Sequence, residues 1–526
     1  MKGLKVQEEN KKQPEERQLN QNLLSDGQDN RKGKDNRKMT DSRKDSRNRK
    51  DSKKKKKSKN REILFVTYTF VCIFLAMMSY ICFYVYTHEE VMINNSYNAG
   101  QQMLVLQNRR GSIYSKDGDV LAKTVVQDDG SEVREYPCGE VFSHVVGYST
   151  KGKTGVEALA NYYLIQSNAP LNEKMNNNIA NQKNPGDSVY TTLETSMQEA
   201  AYNALGVYDG AIIATNPKTG EVLAMVSKPG FDPNEIASVW EDLIEDDESS
   251  VLLNRATQGL YPPGSTFKIV TALEYLKENP DTYQNYHFTC NGSITIDGSK
   301  IKCYHGVNHG YVDLKKSFAK SCNSSFANIS TKIDWNAFDK TLDQLLFGQK
   351  LPFDMESSVS MINADPDSSA ENKIQTSIGQ GETLVTPLHM NMITCAIANE
   401  GVLKCPYVMD RVENNNGAIM KKFSSNSSKR LMDSDTSQIL TELMTEVVEN
   451  GTATKLSGQL YTAAGKTGSA EYNSESDSHA WFTGFAPAED PQVCVTVIIE
   501  GAGSGGDHAV PIARRVFDAY FSNHRE

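Results

Sequence analysis

Residues 63–86, ILFVTYTFVCIFLAMMSYICFYVY, run for 24 positions without a charge. As a helix rising about 1.5 Å per residue, the run reaches about 36 Å, enough to cross a hydrocarbon layer of about 30 Å with some tilt. A secretory signal has an apolar core of about 7–15 residues and a small-residue cleavage site. This run is longer and shows no such site. A helix at the edge of a globular core keeps a polar side, and this one has none. It reads as a transmembrane helix, which divides the rest of the chain between two compartments.

Charge tells the two sides apart. Residues 1–62 carry 22 Lys and Arg against 11 Asp and Glu, and the remaining residues carry 34 against 55. The run KKKKKSKNR directly precedes the span and HEE follows it. The positive-inside rule then predicts a cytoplasmic N-terminus and an extracytoplasmic body of about 440 residues, with Tyr80, Tyr84 and Tyr86 at the outer interface. The basic tail, 1–62, is too poor in apolar residues to offset chain entropy and is expected to be disordered. Its DSRK and DNRK blocks contain no aromatic residue to stack on a base. Next to a membrane span, attraction to anionic lipid is therefore expected and nucleic-acid binding is not.

Beyond the span, residues 87–107 read as a stalk, helical or extended. Two short strands across a Lys-Asp-Gly turn (108–124), a Gly-rich loop leading into an amphipathic helix (144–164), and a polar, turn-rich stretch (165–188) follow. Residues 87–188 gather no evident constellation of acids or bases and read as a pedestal. From 189 to 526 the pattern is denser. TSMQEAAYNAL (195–205) is helical, with Thr195 as its candidate cap. Residues 210–226 form a hairpin about Pro-Lys-Thr-Gly, and 479–487 pairs with 492–500 across Ala-Glu-Asp-Pro. A helix over 511–521 closes the chain. Strand pairs at both ends, flanked by helices, suggest one mixed sheet with helices on its faces.

Ser-x-x-Lys occurs at Ser52/Lys55, Ser265/Lys268, Ser299/Lys302 and Ser317/Lys320. Ser52 lies in the basic tail, Ser299 follows an Asp-Gly turn, and Ser317 lies on a helix, LKKSFAKSCNSSF (314–326), whose lysines mark a solvated face. Ser265 differs. It follows Pro-Pro-Gly and heads an apolar helical run that Asn279-Pro280 stops. The i, i+3 spacing sets Lys268 one turn along on the same face. A neutral lysine there could take the serine proton, provided burial or a second cation lowers its pKa. Ser321-Cys322-Asn323 supplies a hydroxyl and an amide for one cleft, although Ser-x-Asn recurs at Ser46, Ser58 and Ser424. Lys-Thr-Gly occurs at 153, 218 and 466. Only the third, in TAAGKTGSAEY, lies in a run of small residues where an extended peptide could add along a strand edge. Lys466 would bring the second positive charge toward Lys268.

In order and spacing, Ser265-x-x-Lys268, Ser321-x-Asn323 and Lys466-Thr467-Gly468 resemble the penicillin-binding transpeptidases and serine β-lactamases. The segments GAIIATNPKTGEVLAMVSKPGFDPN, SIGQGETLVTPLHM and HAWFTGFAP strengthen the likeness. NRRGSIYSKDGDVLA and GVEALANYYL resemble the pedestal of class B, monofunctional penicillin-binding proteins, with Ser115-Lys116 where that family often has Asp-Arg. The resemblance implies an α/β (α+β) transpeptidase fold. This would be an antiparallel sheet with helices on both faces and an all-helical subregion, after an elongated pedestal and one transmembrane helix anchored in a bacterial cytoplasmic membrane.

It also implies D,D-transpeptidation of peptidoglycan stem peptides through a Ser265 acyl-enzyme, with covalent inhibition by β-lactams. Lys268 would be the base, Ser321 the proton relay, Asn323 and Lys466 further members of the site. Thr467, Gly468 and Ser469 would bind the carboxylate and complete the oxyanion hole with Ser265. A polytopic membrane glycan polymerase of the SEDS type is the partner the resemblance implies. Two alternatives stand beside this reading: a D,D-carboxypeptidase or β-lactamase type hydrolase, and a β-lactam sensor or scaffold without turnover. No Glu-bearing loop to activate water is identifiable, and the full set of catalytic side chains argues against a scaffold.

No cofactor is implied. None of the nine cysteines has CxxC or zinc spacing. Cys72 and Cys82 lie in the span. Cys290 and Cys303 flank a hairpin-like stretch, NGSITIDGSKIK, and are the pair that a disulfide would join in an oxidising compartment. The other cysteines read as small core residues. His305 and His309, set among glycines, read as structural rather than as ligands, and EDLIEDDESS (241–250) as a solvated loop. No metal is expected.

Overall fold

The protein is described here by a computed structural model covering residues 45–87, 99–246, 249–425, 427–471 and 477–524, with backbone alone for 45–59. It divides into two units, Met1–Thr87 and His88–Glu526. In the first, a single helix runs over Asp45–Thr87. Its Asn60–Thr87 portion has a mean hydropathy of 2.0 and is long and apolar enough to cross a membrane. The helix starts well before residue 63, so residues 45–62 of the tail are helical rather than disordered. Lys and Arg are good helix formers and the apolar run supplies the nucleus from which the helix extends. The rest of the tail, 1–44, and most of the stalk, 88–98, lie outside the described residues.

In the second unit, five strands form one sheet. Their order is Ala464–Ala470, His479–Ala486, Val493–Ile499, Gly210–Thr215, Val222–Lys228, and every pairing is antiparallel. The mixed sheet suggested by the strand pattern is thus antiparallel, because both hairpins place their own strands side by side and the chain ends meet at Val493–Ile499 and Gly210–Thr215. Successive residues on a strand face opposite ways. Phe482 meets Phe517 of the closing helix Val510–Asn523. The next residue, Thr483, bonds to Thr394 of the helix Pro387–Ala398 at 2.7 Å. Both faces are therefore covered, which explains why these strands read as continuous apolar runs rather than alternating ones.

The helix Thr195–Leu205 has the expected extent, but Glu194 is its N-cap position and Thr195 is not the cap. Asp117 performs that task from the pedestal, its Oδ2 accepting from Thr195 N–H at 2.9 Å. A second, six-stranded sheet builds the pedestal, in the order Ile419–Lys422, Met409–Glu413, Ser188–Thr191, Ile113–Tyr114, Val120–Val126, Glu132–Glu135. Two of its strands come from beyond residue 400, so the pedestal is not contained in residues 87–188. The hydrogen-bonding edge of Ser188–Thr191 is filled by a distant hairpin, a pairing that local sequence cannot announce. The amphipathic segment over 144–164 is broken into Ser143–Val146, Gly155–Leu159 and Asn161–Ile165. The stretch read as turn-rich holds a helix, Leu171–Ile179.

The pedestal also contains the charge constellation that sequence reading did not find. Glu157 is completely buried. It accepts from Arg110 Nε and Arg134 Nε, each at 2.7 Å, and lies 3.3 Å from the Tyr136 hydroxyl. Arg110, Arg134 and Glu157 are widely spaced in sequence and converge only through the fold.

Candidate active site

Ser265 lies in a 3-10 turn, Gly264–Phe267, that leads directly into the helix Lys268–Glu278. Gly264 has φ +52°, and a Cβ there would come within 2.9 Å of Ser469 O. Across the contact, a Cβ on Gly468 would meet Pro263 O at 2.9 Å. Glycines on both sides therefore let the serine turn press against the strand Ala464–Ala470. Trp481 Nε1 donates to Pro262 O at 3.0 Å, and Gly264 N–H donates to Gly379 O at 2.8 Å, fixing the turn from two further directions. The SIGQGETLV segment is thus the cradle of the serine turn.

Lys268 is wholly buried. Its Nζ donates to Ser321 O at 2.8 Å and to Asn323 Oδ1 at 2.6 Å, and lies 2.9 Å from Ser265 Oγ and 3.2 Å from Ser321 Oγ. A neutral amine has two N–H groups and one lone pair. The two carbonyl-type acceptors take the two N–H groups, and the lone pair is left for the Ser265 hydroxyl. Burial pushes this lysine down to about 7, against a smaller opposing pull from Cys322 and Cys303.

Lys466, also wholly buried, donates to Ser321 Oγ at 2.9 Å and to Thr467 O at 3.0 Å. Burial, and then the charge of Lys268, hold it well below the ordinary lysine range. Burial is the largest cause at both lysines, and the repulsion between two such close cations disfavours charging both at once. Ser321 stands between the two amines with φ +53°, a left-handed conformation costly for a residue with a side chain. The expected helix over 314–326 is broken there, into Leu314–Ala319 and Asn323–Ser330.

The Ala464–Ala470 strand forms an edge of the five-stranded sheet, with no strand on its outer side among the described residues. Thr467 Oγ1 lies 2.5 Å from Thr452 Oγ1, and Ser469 Oγ accepts from Gly505 N–H at 3.2 Å. Neither Thr452 nor Gly505 was singled out from sequence. The glycine-rich GAGSGGDHAV run was the available signal, since a Cβ on Gly505 would strike Gly468 O at 2.3 Å. Asn323 is oriented by donating from Nδ2 to Lys302 O at 3.0 Å.

The competing matches fall elsewhere. Lys218 sits in the exposed hairpin turn and pairs with Asp490. Lys153 lines a separate cavity of about 580 Å³ with His144 and Phe231. Ser317 is buried, not solvated, and accepts from Ser325 Oγ at 2.7 Å. Much of EDLIEDDESS belongs to a helix, Ile236–Glu245, with 247–248 outside the described residues.

The expected disulfide is not formed. Cys290 Sγ and Cys303 Sγ are 3.6 Å apart and both thiols are free, whereas a bonded pair lies at about 2.05 Å. Cys303 Sγ is as near to Cys322 Sγ, at 3.7 Å, and Cys290 Sγ is 3.5 Å from His309 Nδ1. The sulfurs belong to a group of four side chains rather than to a pair, and His309 is part of it while the exposed His305 is not.

Comparison with known proteins places these features in context. The penicillin binding protein transpeptidase domain family matches residues 210–518, and the penicillin binding protein A dimerisation domain matches residues 110–189. The chain is 30% identical over 439 residues to the peptidoglycan D,D-transpeptidase PbpA of Mycolicibacterium smegmatis, covering 78% of this chain and 89% of that one. A ceftriaxone acyl-enzyme of penicillin-binding protein A from M. tuberculosis superposes with a TM-score of 0.72 at 29% identity, covering 79% of this chain and 98% of that one. The D,D-transpeptidase domain of a peptidoglycan glycosyltransferase from Eggerthella lenta gives the same TM-score at 30% identity, covering 80% and 99%.

Proposed function

The chain belongs to the penicillin-binding protein transpeptidase family, and we propose that Ser265 is the residue on which its stem-peptide substrate and β-lactams are carried. Its activity is that of a serine-type peptidoglycan D,D-transpeptidase. The observation that carries the Ser265 assignment is the place of buried Lys268, whose Nζ lies 2.9 Å from Ser265 Oγ while Ser321 O and Asn323 Oδ1 accept from it.

Neutral Lys268 takes the Ser265 proton as Oγ bonds to the carbonyl of the penultimate D-Ala. The resulting oxyanion is held by the backbone N–H groups of Ser265 and Ser469, each worth about 3 kcal/mol by mutational precedent. The bond to the terminal D-Ala nitrogen then breaks, and Ser321 Oγ, between the two lysines, passes a proton to that amine. Asn323 binds the substrate amide. Thr467 and Ser469 hold the terminal carboxylate beside Lys466, whose protonated form that carboxylate favours. Gly468 lets the serine turn lie against the strand along which an extended peptide would add. An amine from a second stem peptide attacks the ester, forming the cross-link and freeing Ser265.

The Asn60–Thr87 helix anchors the chain once in the bacterial cytoplasmic membrane, with the N-terminus cytoplasmic. KKKKKSKNR before it and HEE after it support that orientation. A polytopic glycan polymerase of the SEDS type is the chain's partner in that membrane. Fluorescent penicillin labelling tests the site. Wild type should form a long-lived adduct and Ser265→Ala none. Persistence of the label in the variant would overturn the assignment, and loss of the wild-type label within seconds would favour a hydrolase.

A further inference from the structure

Cys290, Cys303, His309 and Cys322 bring three thiol sulfurs and one imidazole nitrogen within 4.8 Å of one another. The closest separations are 3.5 Å from Cys290 Sγ to His309 Nδ1, 3.6 Å from Cys290 Sγ to Cys303 Sγ, and 3.7 Å from Cys303 Sγ to Cys322 Sγ. A tetrahedral zinc ion, with sulfur at about 2.3 Å and nitrogen at about 2.0–2.1 Å, sets its ligands about 3.8 Å apart for two sulfurs and about 3.6 Å for sulfur and nitrogen. Three of the six separations match edges of that tetrahedron, and all six lie within 4.8 Å. A disulfide would leave the third thiol and the imidazole without a purpose, and cysteines serving as core filler would not converge on a histidine.

The surroundings are those of a thiolate site. Gly292 N–H and Ser325 N–H each donate to a sulfur, Cys290 Sγ and Cys322 Sγ, at 3.4 Å, and Ser324 Oγ lies 3.3 Å from Cys303 Sγ. Such contacts orient metal-bound thiolates. The three cysteines are at most 3% exposed and His309 is half-buried. Three sulfurs and one nitrogen in a closed tetrahedron select zinc over hard cations and leave no open position for substrate.

We propose that these four residues form a structural zinc site that fastens two strand pairs to the segment bearing Ser321 and Asn323. Cys290 ends the strand His287–Cys290, Cys303 follows the strand Ser299–Lys302, and His309 precedes the strand Gly310–Asp313. These strands form two separate two-stranded sheets, a size that is marginal without further support. Cys322 is the N-cap of the helix Asn323–Ser330 and lies between the two residues of the Ser-x-Asn pair. The ion would hold Ser321 in its left-handed conformation from the next residue, and would keep Lys302, whose carbonyl orients Asn323, beside Cys303. Binding releases the thiol protons to solvent and changes no oxidation state. The site rests on its own geometry, whereas its value to catalysis rests on the role proposed for Ser321.

The full-length chain, purified in detergent without chelator, should retain about one zinc per chain, as a closed structural site does. Replacement by Co²⁺ should give the intense bands of tetrahedral, thiolate-bound cobalt. Cys303→Ser and His309→Ala should lose the ion, and His309→Cys, which restores a soft ligand, should keep it. Stripping should raise amide exchange across residues 287–323, a readout independent of acylation. A chain purified without metal, with Cys290 and Cys303 oxidised to a disulfide, would overturn the proposal. So would a metal-free chain with all thiols free, or a Co²⁺ spectrum of octahedral type. Penicillin labelling of the same samples separates this outcome from failure of the Ser265 assignment.

Discussion

Glu157 in the pedestal and Lys268 in the transpeptidase region are both fully enclosed, but their surroundings treat charge in opposite ways. At Glu157, burial opposes ionisation, and the charges and hydrogen bonds of Arg110 and Arg134 outweigh it, holding the carboxylate below its ordinary range. At Lys268 no carboxylate is among the bonded partners, and the nearest basic group sharing a partner with it is another lysine. Burial is left to lower its pKa to about 7. The first cluster is compensated and inert, the second uncompensated and poised between protonation states. A buried charge is thus no mark of function; what distinguishes the candidate active site is a buried charge that the fold declines to neutralise.

The comparison breaks most visibly under substitution. Lys268→Met should slow acylation of Ser265 by roughly 10²–10⁴-fold, the usual contribution of a positioned base, while the melting temperature holds or rises. Stopped-flow reaction with a chromogenic β-lactam and a thermal melt measure the two. Glu157→Ala should do the reverse. It leaves two buried guanidinium groups facing each other and should cost about 3–5 kcal/mol in a denaturant titration, with acylation by the folded fraction unchanged.

A pH profile sharpens the contrast. Because the reactive form of Lys268 is the neutral one, acylation should rise with pH, reach half its plateau near pH 7, and fall about tenfold per unit below that. Lys466→Met should move this midpoint upward, since repulsion between two cations acts on both. An unmoved midpoint would show that burial alone sets it. The smallest effect is expected at Lys116, which joins the regions by pairing with Glu194 at 3.3 Å and Glu221 at 3.2 Å while its side chain stays 39% exposed. Lys116→Ala should change stability by no more than about 1 kcal/mol and leave acylation unaltered.

Legibility from sequence follows how local each feature is. The Lys268–Glu278 helix, the Pro-Lys-Thr-Gly hairpin and the closing helix each carry their own apolar period and their own stop signal, and the structure has them where the sequence puts them. The three motifs of the candidate site could be ranked above their competitors by context, since small residues around Lys466 and apolar residues after Ser265 are visible in a line of text. Thr452, Gly505 and the Glu157 cluster left no such trace. Their partners are dozens of residues away or more, and Thr, Gly, Arg and Glu have ordinary uses at most positions. His309 was set aside for lying among glycines, yet those glycines supply the turns that bring it to Cys290.

The sequence by itself determined the apolar helix long enough to cross a membrane, the family, the order of the motifs and most of the secondary structure around them, because each depends on residues close together in the chain. Only the tertiary structure decided that the pedestal borrows Met409–Glu413 and Ile419–Lys422, that Lys268 and Lys466 are both buried against Ser321, and that three cysteines and a histidine meet beside it. These outcomes depend on sheet edges, burial and distances of a few ångströms, and such quantities exist only once segments distant in sequence have packed together.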